Sequence, residues 1–215
     1  TTSLWSFRQR SINASFVLRY QACNHLISMA KLKLILLDFD GTLVDTREAN
    51  ALAYIATLKE AGIHLTKEEY LARYFGVRCF EFMRMVGVTD PDKIKALRQR
   101  KVELYPNFFH TVKLNEPLWS WCKMQRATGV KVWIVSTGHR DNIANVMRYL
   151  RLESGIDGII CGDDVERPKP YPDCFLKAME IEGATAEETI IFEDSKVGIE
   201  AARQSGALYS IISME

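Results

Sequence analysis

The run Lys33-Leu34-Ile35-Leu36-Leu37 leads directly into Asp38-Phe39-Asp40-Gly41-Thr42-Leu43-Val44-Asp45, and this constrains the fold more than any other stretch. Its apolar residues predict a strand buried on both faces, the habit of parallel sheets. Residues i and i+2 of a strand point to one side, so Asp38 and Asp40 project together from its carboxyl end. In an open parallel sheet that end is where ligands bind. Two like charges held so close repel unless a cation sits between them or one is protonated. Gly41 supplies the positive φ of a tight turn, which lets the backbone leave the sheet edge.

The rest of the chain fits such a sheet. Residues 116–127, 141–150, 173–181 and 197–204 are predicted helices. They alternate with predicted strands at 130–135, 156–161, 189–192 and 207–212. That alternation predicts an α/β fold, a doubly wound parallel sheet with helices on both faces. Between the first strand and residue 111 the pattern is helical throughout. Thr46 stands at an N-cap position, Thr66-Lys67-Glu68-Glu69 is a capping box, Gly76 and Gly87 bracket a short helix, and Asp90-Pro91 opens another. The expected organisation is a core of residues 31–45 and 111–215 carrying a helical cap domain of residues 46–110.

Residues 1–30 stand apart as an N-terminal extension. Its first 28 residues contain Arg8, Arg10 and Arg19 and no acidic residue, so the body of the chain is slightly acidic. This extension is expected to be extraneous or poorly ordered sequence, with a transit peptide or an ordered helix as the alternatives. A net charge of +1 gives no reason to expect nucleic acid or a membrane surface as a partner, and a monomer is expected. Five cysteines without a Cys-x-x-Cys pair are expected to be reduced thiols in a cytoplasmic protein. No apolar run approaches the ~20 residues of a membrane span.

Four constellations fall at predicted strand ends. Of Asp38 and Asp40, one carboxylate can attack as a nucleophile while the other trades protons with leaving group and water. Ser136 and Thr137, ahead of Gly138, can donate to a phosphate oxygen, helped by the free N–H groups of the next helix; ordinary N-capping is the alternative. Lys169, stiffened by Pro168 and Pro170, can neutralise a phosphoryl group and offset nearby carboxylates; a solvated loop lysine is the alternative. Glu193 and Asp194 follow Ile190-Ile191-Phe192, and Mg²⁺ takes such hard oxygen ligands. Asp38, Asp194 and a backbone carbonyl would suffice, with Glu193 holding a water. Asp173 is expected to N-cap its helix rather than to serve the site.

Taken in order, these four motifs resemble those of the haloacid dehalogenase-like superfamily, in its phosphotransferase branch, from about Lys31 to the C-terminus. The resemblance implies a Rossmann-like core in which Asp38 is the nucleophile forming an aspartyl-phosphate and Asp40 the general acid/base. It implies that Ser136 binds phosphoryl oxygens and that Lys169 orients nucleophile and phosphate. Mg²⁺ would be held by Asp38, Asp194 and the Asp40 carbonyl, with Glu193 assisting. The helical insert is similar to the small cap of the subclass containing phosphoglycolate phosphatase, sugar phosphatases and β-phosphoglucomutase. Dehalogenases lack the second aspartate, so Asp40 argues against that activity. Phosphonatases carry a cap lysine where this chain reads Gly76-Val77-Arg78-Cys79.

The expected function is therefore Mg²⁺-dependent hydrolysis of a small phosphate ester, a sugar phosphate or a phosphoglycolate-like compound. A phosphosugar mutase is the alternative, and a non-catalytic binding protein on the same fold the more distant one. Arg47, Arg78, His139 and Arg140 are candidates to hold a polar or anionic part of the substrate; ordinary solvated side chains are the competing explanation.

Overall fold

The computed structural model describes residues 32–214. The expectations for residues 1–30 lie outside the described residues.

The first strand, β1 (Leu34–Leu37), is followed by a two-residue strand β2 (Val44–Asp45) and by helices α1 (Arg47–Glu60), α2 (Lys67–Arg73), α3 (Cys79–Met85) and α4 (Pro91–Leu104). A 3₁₀ segment over Tyr105–Thr111 leads to β3 (Lys113–Leu114) and α5 (Glu116–Arg126). Then come β4 (Lys131–Val135), α6 (Arg140–Leu150), β5 (Gly158–Ile160), α7 (Asp173–Glu182), β6 (Thr189–Glu193), α8 (Lys196–Ser205) and β7 (Leu208–Ile211).

The main sheet has five strands in the order β5-β4-β1-β6-β7, and every pairing in it is parallel. β1 sits at its centre, with Leu36 opposite Trp133 of β4 and Ile191 of β6. Alternate residues feed opposite layers. Ile35, Leu37, Val132, Ile134, Ile190 and Phe192 join one apolar cluster with Leu118, Trp121, Ile143 and Val146 of α5 and α6. Leu34, Leu36, Trp133, Val135 and Ile191 join another with Phe175, Ala178, Ala201 and Ala202 of α7 and α8. The doubly wound α/β sheet expected from the alternation is present.

The helices of the insert enclose a cluster of their own, including Leu58, Tyr70, Tyr74, Phe82, Met83 and Ile94. α1 serves two sides: Ala51 and Leu58 face this cluster, while Ala49 and Ala53 pack with Tyr105 and Phe109 in the core cluster. Some predicted details change. β2 and β3 form an antiparallel pair, Val44 opposite Leu114 and Asp45 opposite Lys113, where no strand was expected. Asp173 is not a cap: it is the first residue of α7, Pro172 holds the N-cap position, and the Asp173 carboxylate takes both Arg167 nitrogens at 2.9 and 3.0 Å.

Candidate active site

The carboxyl ends of β1, β4 and β6 converge on one ammonium. Lys169 Nζ donates to Asp38 Oδ1 at 2.7 Å, to the Val135 carbonyl at 2.9 Å and to Glu193 Oε1. Its side chain is 2% exposed and lies over the Phe175 ring. Burial alone would lower the Lys169 pKa; Asp38 and Glu193 outweigh it and raise it. At Asp38 burial dominates, pushing the carboxyl well above the usual range against the pull of Lys169.

Glu193 is wholly buried and fully used. Its Oε2 accepts from the backbone N–H groups of Asp194 and Ser195 and from the Ser195 hydroxyl, while Oε1 takes Lys169. Gly198 of α8 leaves the space for this carboxylate, since a Cβ there would collide with it. Asp194 accepts from the Thr42 hydroxyl at 3.0 Å, and burial raises its pKa more than that bond lowers it. Gly41, at φ 97°, brings the turn so close that a Cβ would strike the Asp194 carboxylate.

Asp38, Glu193 and Asp194 each place a carboxylate oxygen within 4.8 Å of the others. All are hard oxygen donors, and burial, with neighbouring carboxylates adding to it, raises the pKa of both Asp38 and Asp194. This donor set fits Mg²⁺. Asp40, expected to contribute its main-chain carbonyl, turns its side chain elsewhere: Oδ1 accepts from the Thr46 hydroxyl.

Ser136, buried at the end of β4, accepts the Gly138 N–H at 3.0 Å. A Cβ built on Gly138 would lie 3.1 Å from both Ser136 Oγ and Asp40 Oδ2, so these two oxygens face one small volume. Thr137 is exposed beside it. The four candidate specificity residues are more scattered. Arg47 makes a two-pronged pair with Asp45 at 3.0 and 2.9 Å, and Arg140 is bound to Asp164 and the Ile159 carbonyl. Arg78 is exposed at the N-cap position of α3. His139 takes the N-cap position of α6, its Nδ1 3.6 Å from Asp141, too long for a hydrogen bond.

Residues the sequence did not single out complete the surroundings of Asp40. Asn50 Nδ2 donates to Thr46 Oγ1 at 3.0 Å, and Lys101 Nζ donates to Asn50 Oδ1 at 2.7 Å. Lys101 is 1% exposed, with Nζ 3.6 Å from the centre of the Tyr105 ring. Two carboxylates, an ammonium and a hydroxyl are gathered at the strand ends of a parallel sheet, and one of these carboxylates, Asp38, groups with Glu193 and Asp194 as potential metal donors, an arrangement chemically suited to handling a phosphoryl group.

The profile of the haloacid dehalogenase-like hydrolases matches residues 35–211, and the chain belongs to that family. It is an enzyme of the phosphatase class. It is 26% identical over 188 residues to the pyrophosphatase PpaX of Bacillus cereus (strain AH820), covering 85% of this chain and 84% of that one. It is 27% identical over 184 residues to a phosphoglycolate phosphatase of Aquifex aeolicus (strain VF5), covering 81% and 82%. The crystal structure of CbbY from Rhodobacter sphaeroides in complex with phosphate shares the fold, with a TM-score of 0.76 and 22% identity over 86% of this chain and 87% of that one.

Proposed function

We propose that this enzyme is a Mg²⁺-dependent phosphomonoesterase that acts on a small phosphorylated metabolite through an aspartyl-phosphate on Asp38. One observation carries the reading. Lys169 holds Asp38 Oδ1 at 2.7 Å, which fixes the nucleophile and leaves its second oxygen for phosphorus.

In the first half-reaction that oxygen forms a bond to phosphorus as the ester P–O bond breaks, and Asp40 gives its proton to the departing alcohol. In the second, Asp40 takes a proton from water as the water oxygen attacks phosphorus. Inorganic phosphate leaves and the Asp38 carboxylate is restored. Ser136 donates to a phosphoryl oxygen, and Lys169 neutralises charge on the nucleophile and the transferring group. Asp38, Asp194 and the Asp40 carbonyl would hold Mg²⁺, with Glu193 beside them; when bound, the ion supplies charge neutralisation for the phosphoryl oxygens.

The relatives include a pyrophosphatase and a phosphoglycolate phosphatase. This supports a compact, strongly anionic substrate. The test is phosphate release from a panel of phosphoglycolate, hexose phosphates, nucleotides and pyrophosphate, each with Mg²⁺. Release from at least one compound is expected, with none from Asp38→Asn. Unchanged release by that variant, or none across the panel with metal bound, overturns the proposal. Phosphate that moves to a second sugar position instead of being released identifies a mutase.

A further inference from the structure

Arg98 is the unmatched charge of α4. Its side chain is 32% exposed, and its one ion pair among the described residues is with Asp163 at 3.9 Å, too long for a hydrogen bond. No hydrogen bond links its guanidinium to another described residue. Arg100, two positions on, is more exposed at 44% and yet grips Glu60 through two nitrogens at 2.8 and 2.9 Å. A guanidinium offers five N–H donors in a planar fork. Polar groups drawn out of water normally find partners in the fold. Asp163 does not serve, since its own side chain is 83% exposed, and a loose surface pair of this kind contributes little.

The open fork lies across the seam between insert and sheet. Asp163 follows Gly162, and a Cβ built on Gly162 would lie 3.5 Å from the Thr137 carbonyl oxygen. The Arg98–Asp163 pair therefore stands beside the loop that ends β4. In that loop Ser136 Oγ and Asp40 Oδ2 both face Gly138, and His139 comes next. His139 senses the same guanidinium: burial first, and then Arg98, lower its pKa. Its buried Nδ1 has no hydrogen-bond partner among the described residues. In the proposed reaction Asp40 protonates the departing oxygen, so the rest of the leaving group extends past Gly138 and His139 toward Arg98.

We propose that Arg98 is a specificity-determining residue: its guanidinium takes a second anionic group, a carboxylate or a phosphate, carried by the leaving group. Substrates whose leaving group is charged are then preferred, and esters of neutral alcohols, sugar phosphates among them, are poor. The inference rests on the phosphatase reading above and narrows it. The fork suits such a group because it meets a planar carboxylate or a phosphate with two parallel hydrogen bonds.

The test pairs each charged substrate with a neutral one of similar size. Phosphoglycolate is set against hydroxyethyl phosphate, and pyrophosphate against methyl phosphate, all with Mg²⁺. In at least one pair the charged member is expected to have a kcat/KM higher by about 10-fold or more, the worth of hydrogen bonds to a charged group. Arg98→Met should lower kcat/KM for that compound about 10- to 100-fold, mainly through KM, and leave its neutral partner within about 2-fold. Arg98→Lys keeps the charge without the fork and should fall between. Asp163→Asn frees the guanidinium from its competitor and should serve the charged substrate at least as well as the wild type does.

The pair that shows the preference tells a carboxylate from a phosphate. Equal losses on both members in Arg98→Met mark a merely structural link between insert and core and overturn the inference. A wild type that favours the neutral members overturns it too, while leaving the phosphatase reading intact. If Arg98→Met does not fold, Arg98→Lys decides by the same comparison. Release from none of the four compounds nor from the wider panel, with metal bound, overturns the phosphatase reading and this inference with it.

Discussion

Lys101 and Lys169 are both buried lysines, and the balance of burial against nearby charge shifts them in opposite directions. Lys169 touches two carboxylates and is held charged, its pKa raised. Lys101 touches an amide and a ring, and burial lowers its pKa to about 7. A lowered lysine pKa means that the folded state binds fewer protons than the unfolded chain between about 7 and the ordinary 10.5. Stability should therefore rise with pH across that window. Urea unfolding at pH 7 and pH 9 is expected to show this rise in the wild type and a smaller one in Lys101→Met. For Lys169 the expected effect of Met is different. It strands the fully buried Glu193 without its cation, and breaking a buried pair in this way costs about 3–5 kcal/mol. Adding Glu193→Gln should recover part of that loss, read as a higher urea midpoint in the double variant. The two lysines also differ in how well the sequence announces them. Lys169 lies between prolines in a loop after a predicted strand, so its placement beside the strand-end carboxylates was legible. Lys101 follows Arg98 and Arg100 in an ordinary basic helix, and its partner Asn50 is 51 positions away. Nothing local distinguishes it from a solvated side chain.

Helix starts were the most legible elements, because a cap is a local event. Thr66 accepts the Glu69 N–H at 3.1 Å, and Asp90 accepts from Asp92 and Lys93 ahead of α4, as their spacing predicts. Asp90→Ala should cost about 1 kcal/mol, a shift of the urea midpoint that leaves kcat/KM for the preferred ester unchanged. Where a polar side chain has two possible partners, the local rule loses. Thr46 turns to Asp40, and Asp173 turns to Arg167. Short strands were the least legible elements. β2 and β3 have two residues each, too few to show any period. β5 begins at Gly158, later than the apolar pattern at Ile156 predicts. Just ahead of it, Asp157 accepts Arg126, Lys131 and the Val132 N–H, so a charge cluster tethers the chain where the sequence suggests pairing.

Three carboxylates share one edge of the sheet, with Lys169 bonded to two of them. A divalent ion that fits them should stabilise the folded state by mass action, about 2.7 kcal/mol at 100 times its dissociation constant. Mg²⁺ is expected to raise the thermal midpoint, excess chelator to reverse the gain, and Asp194→Asn to abolish it. An unshifted midpoint at saturating Mg²⁺ would count against the metal assignment independently of any activity assay. The architecture around this edge was legible because β1, β4 and β6 are buried on both faces and lead into the polar residues Asp38, Ser136 and Glu193-Asp194. The insert was legible only as helices, since its approach to Asp40 depends on side chains that meet across long separations. The small pair of β2 and β3 has a further consequence. Val44 faces Leu114 and Asp45 faces Lys113, so the chain leaves the sheet and returns to it through neighbouring backbone. The helices between start and finish at this one backbone junction, while Ala49 and Ala53 of α1 also tie them to the core cluster. A change of helix length inside the insert should therefore leave the strand register alone so long as α1 keeps its contacts with Tyr105 and Phe109.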